Sequence, residues 1–96
     1  MSAIIEEFVT VLTPKAAGHI KGTARLDIAD EGSVLLTKDG ATVSDDDADV
    51  VLKASAKTFR EILSGDQNPI TAVMSGKLKV DGNQMRALKV SEILTS

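Results

Sequence analysis

The run from Asn68 to Ala87, N-P-I-T-A-V-M-S-G-K-L-K-V-D-G-N-Q-M-R-A, leaves the chain little choice of local structure. Asn68 can cap a helix, and Pro69 then falls at N1, where its missing N–H costs nothing and its φ is already helical. Gly76 stands where a C′ residue with positive φ would end that helix. Lys77-Leu78-Lys79-Val80 alternates polar and apolar, the period of a strand with one buried face. Asp81-Gly82-Asn83 is turn chemistry, and Asn83 can cap the helix that follows. None of these residues is an obvious group for catalysis. Whatever this unit does, it does through its apolar side chains, Ile70, Val73 and Met74 on the helix and Leu78 and Val80 on the strand.

The rest of the chain supplies elements for this unit to pack on. Ser2 to Leu12 reads as a helix capped by Ser2, with Ile4, Ile5, Phe8, Val9 and Leu12 at three- and four-residue spacing. Thr13-Pro14 predicts its end. Its apolar face suits docking on a sheet or closing over a pocket. Lys15 to Ile20 reads as a linker that places His19, the only histidine, on the surface. Gly22–Ala29, Ser33–Thr37 and Ala41–Ser44 alternate as strands, separated by Asp30-Glu31-Gly32 and by Lys38-Asp39-Gly40, whose D-G pair favours a type I′ turn. Ala48–Ser55 is a fourth strand. Ser55 then caps a helix over Ala56–Ser64, which Gly65 ends and whose apolar stripe is Phe59, Ile62 and Leu63. The last helix, Gln84–Leu94, offers Met85, Leu88, Ile93 and Leu94. Strands and helices thus come in blocks. The expectation is one α+β domain over residues 1–96, with a five-stranded, mostly antiparallel sheet and helices covering one face.

Composition closes off several functions. The net charge of −3 argues against nucleic acid as a partner, since phosphate contacts need clustered Lys and Arg. Two phenylalanines are too few for a base-stacking platform. No apolar run approaches the roughly 20 residues of a membrane span. Glu6 and Glu7 stand where a secretory signal needs basic residues, so the expected location is cytoplasmic. Without cysteine there is no disulfide, thiol nucleophile or thiolate metal site. Asp45, Asp46, Asp47 and Asp49 suggest a calcium loop, but its sixth and twelfth positions, counted from Asp45, hold Val50 and Ala56 instead of Gly and Glu. G-x-S-x-G, H-E-x-x-H and G-x-G-x-x-G are all missing. Gly76-Lys77 lacks the upstream glycine and the following Ser/Thr of a Walker A loop. The chain is expected to be no enzyme and to carry no cofactor.

The spaced pattern of the C-terminal half resembles the sterol carrier protein 2 family. Ala48-Asp49-Val50-Val51-Leu52 resembles the strand before its helical pair, and Phe59, Ile62, Leu63, Ser64 and Gly65 resemble F-x-x-[IL]-[LM]-[ST]-G. Asn68, Pro69, Ala72, Gly76, Lys77, Leu78, Lys79, Gly82 and Asn83 fall on N-P-x-x-A-x-x-x-G-K-[LI]-K-x-x-G-[ND]. Ala87 and Lys89 match the A-x-K of the last helix. The resemblance is good over Ala48–Leu94 and looser over Ile20–Ser44. It implies a five-stranded sheet flanked by helices, with an apolar tunnel for a fatty acid, acyl-CoA, sterol or phospholipid.

Carried over by residue type, the tunnel lining would be Phe59, Ile62, Leu63, Ile70, Val73, Met74, Leu78, Val80, Leu88 and Leu94. Arg86 stands where the family often has an apolar residue. It either snorkels to water or meets an anionic head group at the tunnel mouth. The implied activity is lipid binding or transfer, with transient membrane contact. The other reading is a structural or homodimerisation module without a usable tunnel, consistent with the short first helix.

Overall fold

A computed structural model describes residues 3–95. The elements run α1 (Ala3–Ala16), β1 (Ala24–Ile28), β2 (Gly32–Thr37), β3 (Gly40–Val43), β4 (Val50–Ala54), α2 (Ala56–Ser64), α3 (Pro69–Met74), β5 (Lys79–Gly82) and α4 (Gln84–Thr95). The sheet order is β3-β2-β1-β4-β5, with β1 and β4 parallel and the other three pairs antiparallel. β1, β2 and β3 form the expected meander. The parallel pair follows from the return of the chain from edge strand β3 past β2 to the far side of β1. The aspartate-rich segment makes this crossing. Arg25 on β1 holds it by donating from Nη1 to the carbonyls of Asp45 and Asp46, at 3.0 and 3.2 Å.

Alternation along the strands gives the sheet two unlike faces. Ala24, Leu26, Ile28, Val34, Leu36, Val50, Leu52 and Ala54 are buried under the helices. Arg25, Asp27, Ser33 and Lys53 lie on the opposite face. α1 lays Ile5, Phe8, Leu12 and Ala16 on the apolar face, and α2 adds Phe59 and Ile62. Each large aliphatic side chain buried this way contributes about 1.5–3 kcal/mol. α1 also shields the β3 edge. Thr13 sits so close to Gly40 that a Cβ there would lie 2.9 Å from its Cγ2. Gly40 is therefore a packing glycine, at φ +126°, rather than half of a type I′ turn: the turn residues are Lys38 and Asp39, and neither has positive φ.

Three local expectations need correction. α1 does not stop at Thr13-Pro14 but runs on to Ala16, taking the first residues of the expected linker. Pro14 deprives only the carbonyl of Thr10 of a partner, on the exposed side of the last turn, while Leu12 and Ala16 gain full burial. β5 begins at Lys79 rather than Lys77, and Asp81 and Gly82 belong to it, paired with Val51 and Val50. α3 is docked by Pro69 and Ala72, so Ile70, Val73 and Met74 are exposed instead of facing inward. With only six residues and a hydrogen-bonded end at Ala72, this helix orients by where its chain enters and leaves.

The helix caps hold, whereas the first hairpin turn is Ala29-Asp30-Glu31, with Asp30 at φ +64° and Gly32 already paired with Ile28. The Asn68 side chain accepts from Ile70 and Thr71 N–H groups, and that of Ser55 from Thr58 N–H. Gly65 and Gly76 have positive φ at helix ends. The Asn83 side chain accepts from the N–H groups of Met85 and Arg86, at 2.9 and 3.2 Å, and starts α4. The expected Ser2 cap lies outside the described residues.

Candidate functional site

α1 and α4 both cover the sheet, and between them lies a cleft of about 1260 Å³. Val11 and Pro14 of α1 form one wall. Leu88 and Ile93 of α4 form the other, with Val50 of β4 and Ile20 at the bottom. The volume exceeds the roughly 300–1,000 Å³ of ordinary small-molecule pockets, and the lining is predominantly apolar. The cleft opens to solvent past Met85, which is 80% exposed, and past Leu88.

α4 shapes this opening through its own sequence. Ala87, Val90 and Leu94 form the stripe that anchors it to the core. Met85 and Leu88 lie off that stripe and stay uncovered. Apolar side chains so placed leave water-exposed surface that a bound apolar chain would shield, at roughly 25 cal/mol per Å².

The rim is polar and has the opposite sign to the molecule. Lys15, Lys21, Arg86 and Lys89 border the cleft, against one carboxylate, Glu92, although the chain carries −3 overall. His19 is exposed on the same rim. Lys89 meets Glu92 only at 4.0 Å, in a highly exposed pair. Arg86 is engaged: its Nη1 donates to the carbonyl of Lys21 at 2.8 Å and lies 3.8 Å from Asp49 Oδ2.

The strongest polar cluster lies away from the cleft, on the open face of the sheet. Arg25 grips Asp27 with two parallel hydrogen bonds, Nε to Oδ1 at 2.8 Å and Nη2 to Oδ2 at 3.2 Å. Ser33 donates to Asp27 Oδ1 at 2.8 Å. Burial pushes the Asp27 carboxyl up, but hydrogen bonds from Arg25 and Ser33 and the charges of Arg25 and Lys53 outweigh it and hold the group below its ordinary value. This cluster is a structural clamp across β1 and β2. Among the described residues, no group of three or more His, Asp or Glu is placed to hold a metal ion. Nor is any helix long and apolar enough to cross a membrane.

Of the ten side chains expected to line a tunnel, Leu88 alone borders the cleft. Phe59, Ile62, Leu78 and Leu94 are buried in the core, while Leu63 and Val80 are half-buried and pack against it. Ile70, Val73 and Met74 lie exposed on α3. Sequence reasoning missed Val11, Pro14, Ile20, Val50 and Ile93. A readable signal existed for Val11, an apolar residue off the buried stripe of α1.

Comparison with known proteins agrees with this architecture. The model of the SCP-2 sterol transfer family matches residues 6–95. Hydroxysteroid dehydrogenase-like protein 2 of Bos taurus is 33% identical over 91 residues, which is 95% of this chain and 21% of that protein. The chain thus spans about a fifth of the length of this relative. Sterol carrier protein 2 from Yarrowia lipolytica, in its apo form, superposes with a TM-score of 0.74 at 28% identity, covering 97% of this chain and 88% of that one. Sterol carrier protein-2 from Aedes aegypti, solved with a C16 fatty acid, palmitate, gives 0.76 at 18% identity, covering 98% and 96%. At that identity the likeness is one of fold. With the family model spanning nearly the whole sequence and the fold matched over the same length, the chain belongs to the SCP-2 sterol transfer family.

Proposed function

We propose that the chain is a non-catalytic lipid-binding module that takes up one amphiphile, its acyl chain in the cleft between α1 and α4 and its head at the basic rim. The observation that carries this reading is the cleft itself, about 1260 Å³ with a largely apolar lining, in a member of this family. A chain bound there gains roughly 0.8 kcal/mol per buried CH₂, so affinity needs no polar anchor. The palmitate held by the Aedes aegypti protein supports the ligand class. The lysines around the mouth, Lys15, Lys21 and Lys89, favour fatty acid, acyl-CoA or phospholipid over a neutral sterol. Leu88 is the one side chain shared between the expected lining and this site; the cleft reading adds Val11, Ile20, Val50 and Ile93. The proposed setting is cytoplasmic, with transient membrane contact during exchange and no nucleic acid partner.

Displacement of a fluorescent polyene fatty acid tests the reading, together with native mass spectrometry of protein purified from cells. Saturable binding, and competition by unlabelled fatty acid, is the expected result. Absence of both binding and co-purified lipid would sink it.

A second reading, a protein-docking or homodimerisation module, has its own observation: Ile70, Val73 and Met74 lie together on the outside of α3. Sedimentation distinguishes it. A monomer at high micromolar concentration removes the homodimer.

A further inference from the structure

We propose that Arg86 and Asp49 form a latch that fastens the first turn of α4 and sets how fast a ligand enters and leaves the cleft. This rests on the reading of the cleft as the ligand site.

The first turn of α4 has no buried side chain: Gln84, Met85 and Arg86 are all exposed, and the anchoring stripe begins at Ala87. Arg86 ties this turn to the body. Its hydrogen bond to the Lys21 carbonyl reaches the loop before β1. Asp49, just before β4, lies beside the guanidinium and is fixed to the same loop twice. Its Oδ2 accepts from Thr23 N–H at 3.0 Å, and its own N–H donates to Thr23 Oγ1 at 3.1 Å. Three separate segments therefore meet at one point. Gly22 makes room for the meeting: it has φ +75°, and a Cβ there would collide with both Asp49 Oδ2 and Arg86 Nη1.

Arg86, Lys21 and Thr23 all border the cleft, so the latch closes one end of it. The two side chains are 46% and 49% exposed, which makes the ion pair screened and marginal. Such a tie biases the turn towards the closed position and still breaks under thermal motion. Opening frays the turn: the Asn83 cap bonds to Met85 and Arg86, and the Ala87 N–H bond to the Asn83 carbonyl, loosen with it, so Met85 leaves the cleft wall while the stripe from Ala87 onward stays docked. Because opening eases passage in both directions, it changes rates more than equilibrium.

The test uses the full chain and variants R86Q, D49N and R86K, mixed by stopped flow with a conjugated polyene fatty acid. R86Q and D49N are expected to raise association and dissociation rates together by about two- to fivefold, the scale of an exposed ion pair. R86K should recover part of the effect, since it keeps the charge and loses the fork. High salt should bring the wild-type rates towards those of R86Q. In the ligand-free protein, hydrogen exchange at the Ala87 and Leu88 amides should quicken in R86Q, while Val34 and Leu36 in β2 stay protected. Unchanged rates in both R86Q and D49N overturn the latch. So does an R86Q whose affinity falls through faster dissociation alone, which would make Arg86 a head-group ligand. If the wild type takes up no fatty acid, the ligand reading fails separately, and unchanged exchange in α4 overturns the latch by itself.

Discussion

The rings of Phe8 and Phe59 meet edge to face, with centroids 6.3 Å apart and planes at 75°. They are the only aromatic residues of the chain, and they join α1 to α2 over the buried face of the sheet. One helix precedes the first strand and the other follows the fourth, so this pair closes the core across most of the fold. Replacing either ring by alanine is expected to cost about 3–5 kcal/mol, a large share of the roughly 5–15 kcal/mol available to a small domain. Leucine at both positions is the more informative variant. A double-mutant cycle by urea unfolding should show about 0.5–1.5 kcal/mol of coupling between them. Additive costs would mean that the ring geometry contributes nothing beyond burial.

Tryptophan scanning separates the cleft from the outer apolar surface. Leu88→Trp places a large ring at the cleft wall and should weaken fatty acid binding while leaving the melting temperature nearly unchanged, because the position is half open to solvent. Met74→Trp enlarges a side chain expected from sequence to line a tunnel, but the position is 84% exposed and outside the cleft lining. It should alter stability by less than about 0.5 kcal/mol and leave binding intact. Equal loss of binding in both variants would place the ligand on α3 instead.

These contrasts show what the sequence made legible. Strand alternation identified the buried face, because in a sheet a side chain's face follows from parity alone. Caps and terminal glycines were equally readable, since Asn68, Ser55 and Gly65 act on their own neighbours. The orientation of α3 was not, because a helix of six residues is docked by its ends and not by its stripe. The cleft was not legible either. It lies between α1 and α4, and no local pattern records the gap between two helices some 70 residues apart in sequence. Pro14 shows the same limit: its local signal to stop was overridden by the burial of Leu12 and Ala16.

The charge of the rim makes a separate prediction. Lys21 lines the mouth and is exposed, so Lys21→Glu reverses a charge without disturbing packing. Affinity for a long-chain fatty acid carboxylate should fall about two- to fivefold at low salt, and the difference should shrink at high ionic strength. Binding of the corresponding methyl ester should not change. If acid and ester respond alike, the head does not sit at this rim.

Acid sensitivity is expected to centre on Asp27. Burial alone would raise its pKa, but the hydrogen bonds from Arg25 and Ser33 prevail and the folded value is lowered. Arg25 is raised in turn, chiefly by its hydrogen bond to Asp27. Since the folded carboxyl binds its proton less readily than the unfolded one, the clamp contributes its full stabilisation above the unfolded value of about 3.9. That contribution is lost as the pH falls below about 4 and through the lower folded value. Asp27→Asn keeps the shape and removes the titration. It should melt lower than the wild type at pH 7, and the gap should narrow as the pH drops below about 4. Carbon-13 titration of the Asp27 carboxyl provides the direct measurement: a midpoint at or above about 3.9 would mean that Arg25 and Ser33 do not outweigh burial.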